Sequence, residues 1–200
     1  KLKSPYTGLF LAPNPSILLM YRNKLLIATP ETFGDPHFNR SVILLVDSTT
    51  SGHMGFILNK PLDYKLNDVL EGVQQKFPLY YGGPVEPDNL FYLHKLGNSL
   101  KGSIPINDDL FWGGDFDALK QGLKDNTIGT SSVRFFLGYS GWAGGQLDEE
   151  MTSKTWVMTD NLPTAKLFKE QPKVLWRNAM VGLGGAYLLW ANAPNNPQNN

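Results

Sequence analysis

Residues 41–59 read SVILLVDSTTSGHMGFILN, and this stretch decides the fold class. Two apolar runs, SVILLV at 41–46 and MGFILN at 54–59, flank the turn-forming segment DSTTSGH. β-Branched and aromatic residues favour strands, and a short polar connection that contains glycine lets consecutive strands pair. The stretch therefore predicts a β-hairpin.

Outward from this hairpin, similar compositions predict further strands. These are KLLIA at 24–28, FYLH at 91–94, VRFFLG at 133–138 and TWVM at 155–158. Apolar residues three and four positions apart predict helices. One helix is predicted over 66–73, with a cap at Asn67 and Asp68. Three more are predicted after a cap at Asp115, over 163–169 and from Lys173. Because strands and helices do not alternate regularly, an antiparallel-rich α+β domain is favoured over a doubly wound sheet.

The composition suits one domain. The chain has 200 residues, of which 42% are hydrophobic, so we expect a single domain over residues 1–190. Residues 191–200 are nearly devoid of apolar side chains, and we predict a disordered tail there. Eighteen basic residues balance 18 acidic ones, which argues against direct binding of nucleic acid. No cysteine is present, so disulfides and thiolate metal sites are excluded.

The apolar runs near the start, GLFLAP at 8–13 and SILLM at 16–20, are far shorter than the roughly 20 residues of a membrane span. They also lack the pattern of a secretory signal. We therefore expect no membrane association and a cytoplasmic location.

The segment YYGGPVEP at 80–87 carries a possible ligand contact. Gly82 and Gly83 followed by Pro84 predict a tight, stiff turn whose backbone can approach another group closely. A purely structural turn is the favoured interpretation, and a ligand contact remains the alternative. The chain contains neither a dinucleotide-binding fingerprint nor a phosphate-binding P-loop, so no cofactor is predicted.

A second glycine-rich segment, GYSGWAGGQLDEE at 138–150, follows a predicted strand. Its polar end, from Gln146 to Glu150, resembles the first turn of a helix, where acids favour exposed backbone N–H groups. The contact candidates here are Gly141, Trp142, Gln146, Asp148, Glu149 and Glu150. Because acids repel phosphate, amines or protein partners match this segment better. For Trp142, burial against the sheet is favoured over a role as an exposed contact.

The histidines do not predict a metal site. His37, His53 and His94 include no pair at the spacing that puts two imidazoles on one helix face. His94 follows a strand and is the best placed of the three, but an ordinary hydrogen-bonding role is favoured. Nucleophilic catalysis has little support either, because Trp142 stands where a serine-hydrolase elbow around Ser140 needs glycine.

Four blocks together resemble one family, the bacterial AlgH/YqgE proteins. The blocks are KLLIATPETFGDPHFNRSVILLV, GHMGFILNKP, YYGGPV and FFLGYSGWAGGQLDEEM, and the likeness extends from Leu25 to Tyr187. The resemblance implies a mixed α+β domain with a strongly bent, barrel-like sheet flanked by helices. One branch of that family is described as a candidate transcriptional regulator of alginate production. No agreed catalytic residue or cofactor follows from the resemblance.

The chain departs from the family pattern at two places. Members of the family tend to have an acid and a histidine after the SVILL-type strand, where this chain has Asp47 and Ser48. They also tend to have alanine where this chain has His53. The missing histidine weakens a metal or proton-transfer role at that point.

Two functional hypotheses follow. The first is a binding or regulatory module whose cleft is walled by Gly82–Val85 and the 138–150 segment, with a protein or small molecule as its partner. The alternative is a hydrolase that uses a carboxylate of the 146–150 segment as general base, with His94 or Asn59 nearby. The non-enzymatic module is favoured. The sequence does not predict an oligomeric state.

Overall fold

The computed structural model describes residues 21–160, 164–169 and 171–193. Its strands are β1 Lys24–Ala28, β2 Val42–Thr49, β3 Gly52–Ile57, β4 Pro61–Lys65, β5 Pro78–Tyr81, β6 Val85–His94, β7 Ile104–Pro105, β8 Phe111–Trp112, β9 Val133–Ala143 and β10 Trp156–Asp160. Its α-helices are α1 Leu66–Val69, α2 Phe116–Lys124, α3 Gln146–Thr152, α4 Thr164–Lys169, α5 Pro172–Leu183 and α6 Tyr187–Ala191. Short 3₁₀ turns occupy Pro30–Thr32 and Gly97–Ser99.

The strands form a ten-stranded sheet in the order β10-β1-β2-β3-β9-β6-β8-β7, and β5 joins β4 to β9. The pairs are antiparallel except for β5 and β9, which run parallel. The predicted α+β domain with an antiparallel-rich sheet is therefore confirmed. A barrel-like sheet is not confirmed. The path of paired strands begins at β10 and ends at β7, and among the described residues these two strands do not pair to close a barrel.

The predicted hairpin is present as β2 and β3. Thr49 pairs with Gly52, which leaves Thr50 and Ser51 as a two-residue turn. The register shifts between Leu45 and Asp47, as happens where a β-bulge adds a residue to one strand. A bulge re-aims the side chains beyond it, and Asp47 is the first residue past this shift.

The predicted helices occur close to their expected positions. Asp115 caps α2, since its Oδ1 accepts a hydrogen bond from the Ala118 N–H at 3.1 Å. Helix α1 is shorter than predicted and ends at Val69, and its cap is formed by Lys65 and Asp68 instead of Asn67. The β10, α4 and α5 predictions are likewise confirmed, apart from Pro163, which lies outside the described residues.

Both faces of the sheet are covered by helices. One face of the β1–β3 region, which includes Leu44, packs in a cluster with Trp176 of α5. The opposite face, which includes Ile43, packs with Leu147 of α3. A third cluster joins strands β5, β6 and β9 to Leu119 of α2. Helix α3, which carries the predicted acidic segment, is thereby anchored to the sheet.

The predicted tail begins within a helix. Ala191 is the last residue of α6 and is buried in the core, which gives this position the apolar contacts that the tail composition lacks. Residues 194–200 and the apolar runs before residue 21 lie outside the described residues. In the described part of the chain, none of the helices combines the length and apolar character needed to cross a bilayer.

Candidate functional site

The two glycine-rich corners predicted from the sequence contact each other directly. We call residues 82–84 the first corner and residues 138–145 the second corner. The Ser140 Oγ donates a hydrogen bond to the Gly82 carbonyl oxygen at 3.1 Å. A Cβ atom added to Gly83 would lie 2.3 Å from backbone atoms of the second corner. Glycine is therefore required, because the two backbones leave no room for a side chain.

Beside this contact lies an open groove of about 370 Å³. Its described lining residues are Asp47, Thr49, Ser51, Gly52, His53, Met54, Val85, Tyr139, Gly141 and Trp142. The second corner supplies the last three of these, β6 supplies Val85 directly after the first corner, and the β2–β3 hairpin supplies the rest. Of the predicted site residues, Gly141 and Trp142 line the groove. The hairpin was missed as a wall because the sequence does not show that β3 pairs with β9.

The described residues in and around the groove give it a negative charge. Asp47 is the only charged side chain among its described lining residues. Burial lowers the pKa of His53, while the charges of Asp148 and Asp47 act in the opposite direction, so both carboxylates lie near this ring. Burial raises the pKa of Tyr139, and the charge of Glu86 adds to the increase. Carboxylates thus act on His53 and on Tyr139 of the groove.

Glu150 acts as a structural acceptor. Its Oε2 accepts hydrogen bonds from the indole N–H groups of Trp142 at 2.8 Å and Trp156 at 2.6 Å. Its Oε1 accepts a third from the Gln146 side chain at 2.8 Å. Both tryptophans are buried, and the predicted burial of Trp142 is confirmed by its exposed fraction of 5%. A carboxylate that holds two buried indoles is committed to the wall of the groove, not to its interior.

The other polar residues of the 146–150 segment differ in their surroundings. The Asp148 carboxylate accepts a hydrogen bond from the Tyr21 phenol, and burial together with this bond raises the pKa of Tyr21 to about 12. The Gln146 Oε1 accepts the Ala143 N–H at 3.0 Å and so closes the turn before α3. Glu149 is exposed to solvent. Of these residues, Gln146 stabilises the second corner, and none of them is among the described lining residues of the groove.

His94 is completely buried, with an exposed fraction of 0%. The Leu96 N–H donates to its Nδ1 at 3.2 Å, which puts the ring proton on Nε2. Nε2 then faces the Gly113 carbonyl at 3.0 Å and the Ser103 Oγ at 3.1 Å. Burial lowers the pKa of His94, so the imidazole is neutral. This agrees with the favoured interpretation of an ordinary hydrogen-bonding residue, and a protonated Nε2 cannot activate Ser103 as a base.

Asn59 and Pro84 also lie outside the described lining of the groove. The Asn59 Oδ1 accepts the Val42 N–H at 2.8 Å, and its Nδ2 donates to the Arg40 carbonyl at 2.8 Å. Asn59 therefore ties the end of the loop after β1 to the start of β2. Pro84 is exposed at the outer side of the first corner.

Comparison with known proteins agrees with this architecture. A family model described as AlgH-like matches residues 25–188. The chain belongs to the AlgH-like family. A UPF0301 protein of Bacteroides fragilis is 42% identical over 181 residues, which cover 90% of this chain and 91% of the relative. A UPF0301 protein of Cytophaga hutchinsonii is 40% identical over 185 residues, which cover 91% and 100% of the two chains.

Solved structures agree as well. The solution structure of the AlgH protein from Pseudomonas aeruginosa is 28% identical with a TM-score of 0.66, and the match covers 92% of this chain and 98% of that one. A crystal structure of a Corynebacterium diphtheriae protein has a TM-score of 0.69 and 18% identity, with coverage of 92% and 95%. At that identity the second match shows the fold alone.

The sequence blocks of this AlgH-like chain also converge at a polar cluster that sequence reasoning missed. The Tyr81 hydroxyl lies 2.5 Å from the His37 Nδ1, and the two rings stack. The Lys60 Nζ donates to the His37 carbonyl at 2.6 Å, and burial lowers the pKa of Lys60 against the opposing charge of Asp35. The Asp35 carboxylate in turn accepts backbone N–H groups of the loop, an Asx turn that the Asp-Pro pair could have indicated. This cluster joins the loop after β1 to the end of β5, directly before the first corner.

The described residues contain no group of three or more His, Cys, Asp or Glu side chains arranged to hold a metal ion.

Proposed function

We propose that the AlgH-like chain is a binding module whose groove holds a positively charged segment of a partner protein. The single observation that carries the proposal is that three separate segments of the chain line one open surface that bears a negative charge. Residues after the first corner, in the second corner and in the β2–β3 hairpin line one open surface, and its only charged described residue is Asp47. Any regulatory effect would then run through this protein contact.

The chemistry of the lining supports a cationic partner. Asp47 supplies an acceptor for an ammonium or guanidinium group, and Tyr139 supplies an aromatic surface on which a cation can rest. The charges of Glu86 and Asp148 act on Tyr139 and His53 and extend the negative field. Complementary charge of this kind guides association and excludes partners of the wrong sign.

The hydrolase alternative has less support. A general base must reach the proton that it abstracts within about 3 Å. Glu150 is engaged by two indoles, Asp148 is engaged by the Tyr21 phenol, and His94 is sealed in the core.

The proposal also includes a cytoplasmic, transcription-linked role without direct contact to DNA, since 18 basic residues balance 18 acidic ones.

Affinity capture with matched charge reversals tests the proposal. Tagged wild-type protein, Asp47→Lys and Asp63→Lys are used as baits in lysate of the native host at low and moderate salt, with mass spectrometry as readout. Asp63 is an exposed residue of β4 and serves as the control for added charge. We expect Asp47→Lys to lose the salt-sensitive partner by about tenfold or more, while Asp63→Lys keeps it.

The melting temperatures of the three proteins must agree, so that a loss of capture reports the groove and not unfolding. Retention of the same partners by Asp47→Lys, or equal loss by Asp63→Lys, would contradict the proposal.

A further inference from the structure

A cavity separate from the groove lies between the loop after β1 and helices α5 and α6. It encloses about 310 Å³, which falls at the lower end of small-molecule pockets, roughly 300–1,000 Å³. Its described lining residues are Thr29, Pro30, Phe33, Asn39, Arg40, Trp176, Trp190 and Ala193. None of these lines the groove, so this cavity is independent of the proposed partner site.

Aromatic side chains wall this cavity. Trp176 of α5 is buried, and its Nε1 donates to the Ala28 carbonyl at 2.8 Å, which holds the indole in one orientation. Trp190 of α6 and Phe33 of the loop are 45% and 58% exposed, although both are large and apolar. Flat apolar ligands gain both buried area and ring contacts from such walls.

Arg40 supplies the only charge among the described lining residues. Its guanidinium carbon lies 4.8 Å from the centroid of the Trp176 ring. Its Nη2 donates to the Ala193 carbonyl at 2.8 Å, which orients the planar group at the cavity wall. An arginine stays protonated even when burial lowers its pKa, as it does here. The wall therefore presents a fixed positive charge beside aromatic rings.

The backbone of Arg40 is strained. Its φ angle is 55°, in the left-handed region that is unfavourable for a residue with a side chain. The hydrogen bond from Asn59 to the Arg40 carbonyl holds this conformation. Strained residues that the surrounding structure keeps in place are concentrated at ligand sites. The strain is thus an observation independent of the cavity shape, and it concerns the residue that carries the charge.

We propose that this cavity binds a small molecule that combines a flat aromatic ring with a carboxylate. The ring packs against Trp190 and Phe33, and the carboxylate lies beside the positive charge of the Arg40 guanidinium. The described lining residues include no acidic side chain that would repel an anion. The ligand proposed for the cavity is therefore an anion, whereas the partner segment proposed for the groove is positively charged.

Isothermal titration calorimetry of the full chain with two matched probes tests this proposal. The probes are 2-naphthoate and 2-naphthamide, which share the ring system but differ in charge. We expect 2-naphthoate to bind roughly tenfold or more tightly than 2-naphthamide, since a hydrogen bond to a charged partner contributes more than a neutral one.

Variants then assign the binding to the cavity. We expect Arg40→Gln to remove the preference for 2-naphthoate, and Trp190→Ala to weaken both probes. Arg177→Gln is the matched control, because Arg177 is an exposed residue of α5 outside the described lining and loses the same charge. Thermal melting shows that each variant folds.

Equal affinity for the two probes, equal loss in Arg40→Gln and Arg177→Gln, or no binding of either probe at millimolar concentration would overturn the proposal. Asp47→Lys should leave 2-naphthoate binding unchanged, so failure here is distinguishable from failure of the groove proposal.

Discussion

The groove and the cavity differ in charge, in the residues that line them and in how open they are to solvent. The groove is open, is lined largely by strand residues and carries the negative charge of Asp47. The cavity is walled by three aromatic side chains and carries the positive charge of Arg40. A chain with balanced charge overall can thus hold two surfaces that attract ligands of opposite sign. Net charge excludes a global field, but it does not describe local sites.

The two sites also depend on different supports. Behind the groove, Glu150 and the backbone contact of the corners hold β9 and α3 in position. Beside the cavity, Asn59 holds the Arg40 backbone. Changes to the first set of supports should therefore affect the groove more than the cavity.

The largest expected effect comes from Glu150→Ala. The substitution leaves two buried indole N–H groups without their acceptor, and each unsatisfied buried donor costs about 1–3 kcal/mol. We expect the free energy of unfolding, measured by urea denaturation, to fall by about 4 kcal/mol. Partner capture through the groove should fall with it, whereas 2-naphthoate binding to the remaining folded protein should persist.

Glu149→Ala is the control for Glu150→Ala. Glu149 is exposed on the same helix, and its substitution should change the free energy of unfolding by no more than about 0.5 kcal/mol. Similar losses in the two variants would show that the indole bonds do not carry the stability of this wall.

A smaller loss is expected for Gly83→Ala. The added Cβ would lie 2.3 Å from backbone atoms of the second corner, so the two corners must separate. We expect a loss of about 3 kcal/mol in urea denaturation, at the upper end of overpacking effects. The groove should lose its partner while the cavity keeps its affinity for 2-naphthoate.

Gly182→Ala provides the matched glycine control. Gly182 lies in α5, where an added Cβ would meet no described atom within 4 Å apart from its chain neighbours and the backbone of its own helix, and helices favour alanine over glycine. Its stability should rise by about 0.5–1 kcal/mol. A loss in Gly182→Ala as large as that in Gly83→Ala would contradict the role assigned to the corner contact.

A smaller effect than that of Gly83→Ala is expected from the pH dependence of His94. Burial lowers its pKa in the folded protein, so the unfolded chain binds the proton first as pH falls. The contribution of His94 is fully present above about pH 6.5, and it declines as pH falls toward the folded pKa by up to roughly 1.4 kcal/mol per pH unit. Urea denaturation between pH 7.5 and 5 measures this slope, and His94→Gln should reduce it.

His53→Gln sharpens the comparison at the groove. Burial also lowers the pKa of His53, but the charges of Asp148 and Asp47 oppose that decrease. We therefore expect His53→Gln to change the slope less than His94→Gln does. The reverse order would show that the protonation of His53, not of His94, dominates the acid sensitivity.

Much of the local structure could be predicted from the sequence. The strand KLLIA coincides with β1, and Asp115 caps α2 as expected. Helix α3 begins at Gln146 and carries the acidic run at its start. These predictions succeed because strand composition, capping and helix dipoles act within a few neighbouring residues. The interpretation of Trp142 as buried succeeded for a related reason, since large apolar rings favour the core.

The sites were predicted less completely. The corners meet, but Asp47 and His53 of the groove and Arg40 of the cavity were not among the predicted site residues. Glu150 was predicted as a contact residue, yet it serves two indoles that lie six and eight positions away. Such roles depend on strand pairing and helix docking, which a periodic pattern does not encode.

The sequence by itself determined which segments become strands and helices, the hairpin at 41–59, the absence of thiol chemistry and the membership of the AlgH-like family. Tertiary structure alone decided the parallel pairing of β5 with β9, the open edge of the sheet and the charge of each site. The physical reason is range: propensity, capping and turn chemistry act over a few residues. A groove or cavity forms only where segments tens of residues apart in the chain are brought together by burial of their apolar faces.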